Sequence, residues 1–282
     1  MCLYSKSDLF SKVHLEIDNP FKYSVTKYLY ATSKASDSES FLLRSFSKDA
    51  WSMESTWIGY VAVATGEGKI ALGRRGIVVA WRGTIQGSKW VSNFHLDLDP
   101  ASLIFGSESH AQLHNGIYSL YTSENLNLQS ARNQVLNEIR RLVELYKDSI
   151  TITGHSLGAA LATINAVDIV ANKFNIPKDQ PQKACPVTTF AFASPRVGNS
   201  SFAKIFSDYK DLRALVIRNE IDVVPKSLLL VYYAEGEELL IDTRKSKYLK
   251  SGVYLHGVAR TQGSKGGLEG VRDIALVNKS ND

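Results

Sequence analysis

Only two cysteines, Cys2 and Cys185, occur in 282 residues. They lie far apart without a partner pattern, so neither a disulfide framework nor a thiolate metal site is expected, and a reducing compartment fits. Long apolar runs are also missing: no stretch of about 20 apolar residues could span a membrane. The opening MCLYSKSDLFSKVHLEIDNP has no continuous apolar segment of signal-peptide kind, and its Asp8, Glu16 and Asp18 speak against a transit peptide. A cytoplasmic location is the expectation. The formal charge of +5 is spread along the chain, with no basic block such as a nucleic-acid arm needs, so nucleic acid is not an expected partner. That modest excess can favour approach to anionic lipid surfaces.

What is present is apolar content of 44%, enough for one large core and a single α/β domain over residues 1–282. The chain centres on SITITGHSLGAA, Ser149 to Ala160. Ile150 and Ile152 alternate with Thr151 and Thr153 as in a strand, and Leu157, Leu161 and Ile164 recur at helical spacing with alanines between them. A Gly-x-Ser-x-Gly match alone arises by chance in roughly one chain in ten of this size. A strand before it and a helix after it make it a nucleophile elbow, in which Ser156 stands exposed above the sheet edge.

Around that turn, residues 1–50 lack a clear period and are expected as a loosely attached lead-in, with Ser33 to Ser40 an exposed loop. Trp57 to Ala64 and Gly76 to Trp81 read as strands joined through a glycine-rich connection, and Ala131 to Tyr146 as an amphipathic helix. The helix after the elbow is expected to fade near Phe174, because Pro177, Pro181 and Pro186 cannot continue it. Val187 to Ala193 and Leu212 to Arg218 are further buried strands, and Leu228 to Tyr233 with Glu238 to Asp242 suggests a hairpin. From Arg244 onward the chain is glycine-rich and poorly periodic.

A serine alcohol is a weak nucleophile near neutral pH, so Ser156 needs a general base and a third group to orient it. In α/β-hydrolase-like folds these follow in the order Ser, acid, His. Of six histidines only His256 lies beyond both Ser156 and a plausible acid. Asp222, just past the strand Leu212 to Arg218, is the preferred acid, and Asp242 the second choice. His155 adjoins the serine but points away in a tight turn and is read as structural. The Leu157 amide, at the head of the helix, suits an oxyanion donor, and the turn Arg82-Gly83-Thr84 suits a second.

These motifs, with Ala193-Ser194-Pro195-Arg196-Val197-Gly198-Asn199 and Asn219-Glu220-Ile221-Asp222-Val223-Val224-Pro225, resemble the class 3 lipases. PFKYSVTKYLYATS (Pro20 to Ser33) and YLHGVARTQGSKGG (Tyr254 to Gly267) are similar to the plant type II phospholipases A1. The resemblance implies a mostly parallel central sheet flanked by helices and a cytosolic acylhydrolase that needs no metal or cofactor. It would remove the sn-1 acyl chain of phospholipids at a membrane surface. Carried onto this chain, Ser156 is the nucleophile, Asp222 the acid, Thr84 and Leu157 the oxyanion donors, and Ile85 to Asp99 an amphipathic lid with Trp90 and Phe94 as lipid anchors.

One departure stands out. In the family the Tyr-Leu-His stretch follows a short segment that carries another histidine, the implied triad base. Here Tyr248 to Gly252 run directly into Val253 to His256, which leaves His256 the surviving candidate. The family's longer lead and tail are also not found, so a shortened gene product or altered splice form is expected. Three functions therefore stay open: a phospholipase A1, a catalytically impaired lipase-like protein that binds lipid or a partner, and a lipase for neutral acylglycerols or galactolipids.

Overall fold

Alternating β-branched and small residues form the strands, and helices with continuous apolar faces cover them. The computed structural model describes residues 4–13, 22–32, 55–83, 97–220 and 236–241. In chain order these hold α1 (Leu9–Lys12), β1 (Tyr23–Ala31), β2 (Thr56–Ala64), α2 (Gly66–Leu72), β3 (Ile77–Trp81), β4 (Leu98–Pro100), α3 (Ser102–Phe105) and β5 (Gln112–His114). They continue with α4 (Asn115–Thr122), α5 (Ala131–Tyr146), β6 (Ile150–His155), α6 (Leu157–Ala171), β7 (Val187–Phe192), α7 (Ser200–Asp208), β8 (Leu212–Asn219) and β9 (Glu237–Ile241).

Seven strands form one sheet in the order β1-β2-β3-β6-β7-β8-β9, and β4 pairs with β5 separately. From β3 to β9 neighbouring strands run parallel, whereas β1, β2 and β3 are antiparallel. Trp81, Gly154 and Ala191 lie side by side across β3, β6 and β7. Every residue of α6 from Leu157 to Val170 is buried, so this helix is the centre of the core, as expected of one apolar on all sides.

Four local outcomes differ from the expectations or refine them. The segment expected as a loose lead-in contains β1, which pairs along β2. Ahead of it, Phe10 packs edge-on against Tyr60 at 5.6 Å and the Tyr28 hydroxyl donates to the Tyr4 carbonyl at 3.0 Å. The strand escaped notice because the register shift at Val25/Lys27, where Thr26 is the extra residue, breaks its two-residue alternation. The glycine-rich connection after β2 is the helix α2, started by Thr65, whose hydroxyl accepts from the Gly68 amide at 3.1 Å. Of the lid range, Leu98 and Asp99 are held in β4 against His114 and Leu113, and residues 85–96 lie outside the described residues. Strand β9 runs parallel to β8, while Leu228 to Tyr233, its expected hairpin partner, also lies outside them.

Candidate active site

At the end of β6, Ser156 adopts φ 57° and ψ −125°, a conformation uncommon for any residue but glycine. Neighbouring backbone holds it there. The Ser156 amide donates to the Phe192 carbonyl of β7 at 2.9 Å, and the Ser156 carbonyl accepts from the Ala159 amide at 2.9 Å. The flanking glycines permit the close packing. A Cβ on Gly154 would sit 2.2 Å from the Gly158 carbonyl oxygen, and one on Gly158 would sit 2.4 Å from the Trp81 carbonyl oxygen. Strand, serine and helix are thus packed backbone to backbone.

Leu157 is the first residue of α6, so its amide has no acceptor within the helix and points out at the positive helix end. The predicted oxyanion donor is therefore placed beside Ser156. Of the second predicted donor turn, Arg82 and Gly83 are described and Thr84 is not. They lie against the elbow: a Cβ on Gly83 would meet the His155 carbonyl oxygen at 2.5 Å. The Arg82 amide donates to the Ile58 carbonyl at 2.8 Å, and its guanidinium lies over the Trp57 ring at 5.4 Å. His155 takes the face of β6 opposite Gly154.

Asp222, Asp242 and His256 lie outside the described residues. The strands that lead to the two aspartates end together at the elbow's edge of the sheet, where Asn219 pairs with Ile241 and the Glu220 amide donates to the Ile241 carbonyl at 2.9 Å.

The Ala193-to-Asn199 motif has a role that its residue types alone did not announce. Ala193, at φ 51°, turns the chain out of β7, and the loop returns along β5 through His114 amide to Val197 carbonyl at 2.9 Å. Asn199 closes it. Its Oδ1 accepts from the Phe202 amide at 3.0 Å, capping α7, and from the Gln112 amide at 3.1 Å, while its Nδ2 donates to the His110 carbonyl at 3.0 Å. The available signal was an asparagine directly before a helix start.

Two polar residues inside the apolar α6 were also missed. Asn165 and Asp168 are both fully buried, and a buried polar side chain in such a helix implies partners. Asp168 receives Arg132 Nε at 2.7 Å and Nη2 at 2.9 Å, the Tyr121 hydroxyl at 3.0 Å and Asn172 Nδ2 at 2.7 Å. Burial pushes its carboxyl above the ordinary value, against the opposing pull of these donors. The same burial, with the Asp168 charge, pushes the Tyr121 phenol well above its own.

A mostly parallel sheet carrying a serine on a strained strand-to-helix turn is the architecture of the α/β-hydrolases. Residues 78–232 match the family model of lipase (class 3). The chain is 51% identical over 303 aligned residues to phospholipase A1-IIgamma of Arabidopsis thaliana, covering 99% of this chain and 72% of that protein. It is 52% identical over 302 to phospholipase A1-II 1 of Oryza sativa subsp. indica, covering 100% and 75%. Among solved structures it resembles a triacylglycerol lipase from Penicillium expansum, with TM-score 0.53, 18% identity, and 84% and 77% of the two chains covered. A mono- and diacylglycerol lipase from Aspergillus oryzae fits likewise, with TM-score 0.53, 19% identity and coverage of 83% and 68%. This chain belongs to the class 3 lipase family, and about half of its sequence is identical to these plant phospholipase A1-II proteins.

Among the described residues no three His, Cys, Asp or Glu side chains gather as a metal site, and no helix is long and apolar enough to cross a membrane.

Proposed function

We propose that this chain is a carboxylic ester hydrolase that releases the sn-1 acyl chain of phospholipids through an acyl–Ser156 intermediate. The observation that carries this is the backbone of Ser156 at φ 57° and ψ −125° with the Leu157 amide beside it; the names of the half-identical relatives supply the substrate class. Ser156 Oγ attacks the ester carbonyl as His256 takes its proton, with Asp222 orienting that histidine. The Leu157 and Thr84 amides stabilise the oxyanion. His256 then protonates the departing lysophospholipid oxygen, and water attacks the acyl-enzyme by the same route to release the fatty acid. Contact with the lipid surface is peripheral, with Ile85 to Asp99 as the lid, and the protein acts in the cytoplasm.

The test is phosphatidylcholine with different acyl chains at sn-1 and sn-2. The sn-1 acid should be released, and Ser156→Ala should lower turnover by about four orders of magnitude or more. Release in equal amounts from both positions, or turnover untouched in Ser156→Ala, sinks the proposal. Comparable turnover of triacylglycerol or galactolipid points instead to the lipase alternative.

A second reading, an impaired lipid-binding relative, has one observation in its favour. The match to the Arabidopsis thaliana protein runs over 303 aligned residues against a chain of 282, so that protein carries residues with no counterpart here. This agrees with the missing histidine segment. Vesicle binding without fatty acid release, and no loss in His256→Ala, supports that reading.

A further inference from the structure

Gly158 and Asn165 are seven residues apart on α6, two turns along one face, and both meet the end of β3. At Gly158 the contact is backbone to backbone, with the Trp81 carbonyl oxygen 2.4 Å from where a Cβ would stand. At Asn165 it is a side-chain link: the Trp81 indole Nε1 donates to Asn165 Oδ1 at 3.3 Å. Asn165 Nδ2 in turn donates to the Tyr121 hydroxyl oxygen at 3.1 Å, and that hydroxyl donates to Asp168 Oδ2 at 3.0 Å. The Trp81 and Tyr121 rings also pack edge-on at 5.9 Å.

The direction of every bond in this chain follows from its two ends. An indole N–H can only donate, and an ionised carboxylate can only accept. Asp168, held by two guanidinium nitrogens of Arg132, accepts the hydrogen bond from the tyrosine hydroxyl. The tyrosine oxygen is left to accept from the Asn165 amide nitrogen, and the amide oxygen must then face Trp81. No other residue type of that size both accepts from the indole and donates to the phenol.

We propose that Asn165 is a positioning residue for acyl transfer at Ser156: by holding Trp81 it fixes the turn at Arg82 and Gly83 relative to the Leu157 amide. The role rests on the reading of Ser156 as nucleophile. An oxyanion hole assembled from two elements needs both donors held within about 0.5 Å of the productive geometry. Here one donor leads α6 and the other follows β3, and the Asn165–Trp81 bond ties those two elements a second time beyond the Gly158 contact. Asn165 does not touch the reacting atoms; it acts through Trp81.

The test uses the full chain and a soluble p-nitrophenyl ester. Asn165→Leu, close in volume but unable to hydrogen-bond, should lower kcat by about 10- to 100-fold with KM nearly unchanged, less than removal of an oxyanion donor itself. Its unpaired indole N–H should lower stability as well. Trp81→Phe placed on Asn165→Leu removes that orphan donor, so stability should recover in part while kcat stays low. A merely structural role requires the two to recover together, and that result overturns the proposal, as does an Asn165→Leu kcat within twofold of wild type. If Asn165→Leu does not fold, Trp81→Phe alone breaks the link from its other end and is held to the same kcat criterion.

A wild type without Ser156-dependent turnover removes the nucleophile reading and this role with it. Hydrogen exchange of the Trp81 indole N–H, protected in wild type and fast in Asn165→Leu, then reports separately whether the link itself exists.

Discussion

Ser156 keeps its left-handed backbone because neighbouring backbone packs closely around it, and the cost of disturbing that packing can be stated. Gly158→Ala would drive a methyl group into the Trp81 carbonyl and the Arg82 backbone, at 2.4 and 2.8 Å, where no side chain can rotate away. We expect loss of about 1–3 kcal/mol of stability together with nearly all Ser156-dependent ester cleavage, measured by urea unfolding and turnover. Cys185 gives a residue-scale prediction of another kind. It is buried, and burial pushes its thiol up to about 11. In a Cys2→Ser background, iodoacetamide at pH 8 should leave Cys185 almost unmodified in the folded protein and alkylate it rapidly in urea, because only the thiolate reacts.

Among the elements, α5 and α7 differ in what their N-terminal caps hold. Ser130 caps α5 with one bond, its hydroxyl accepting from the Asn133 amide at 3.1 Å, so Ser130→Ala should cost about 1 kcal/mol. Asn199 caps α7 and also serves the Gln112 amide of β5 and the His110 carbonyl. Asn199→Ala should therefore cost about 1–3 kcal/mol, a cap plus an orphaned half-buried donor. Parallel urea curves for the two variants check the ranking. At this scale the sequence was legible where a periodicity ran undisturbed. The helix Ala131–Tyr146 falls where expected, as do the cores of β6, β7 and β8. Strand β1 was not, because Tyr30, at one of its register shifts, exchanges two hydrogen bonds with the Gln134 side chain of α5, donating from its amide and accepting at its carbonyl. A partner 104 residues away leaves no local trace.

At the scale of the molecule, the Arg132–Asp168 pair joins α5 to α6 inside the core, with Tyr121 from α4 on the same carboxylate. Arg132→Met would leave a buried carboxylate without its cation, and a loss of about 3–5 kcal/mol is expected. Adding Asp168→Asn should recover part of it. The pH dependence has a definite sign. Asp168 is already raised by burial, and losing Arg132 raises it further, so the folded state binds the proton more tightly than the unfolded chain does. Stability then falls as pH rises from the unfolded value towards the folded one. The Arg132→Met deficit should accordingly shrink between pH 7 and pH 5 in urea titrations, and a deficit that grows on acidification contradicts the assignment.

Sequence by itself determined which serine stands at the elbow and where its strand and helix lie. All of these depend on residues within one strand–turn–helix, and local sterics and periodicity act over that distance. Tertiary structure alone decided that Trp81 would meet Asn165, that Asn199 would clamp β5 to α7, and that a strand from the first thirty-odd residues would complete the sheet. Those contacts depend on how separate elements pack, and packing energy is shared by positions far apart in the chain, so no single stretch carries its signature.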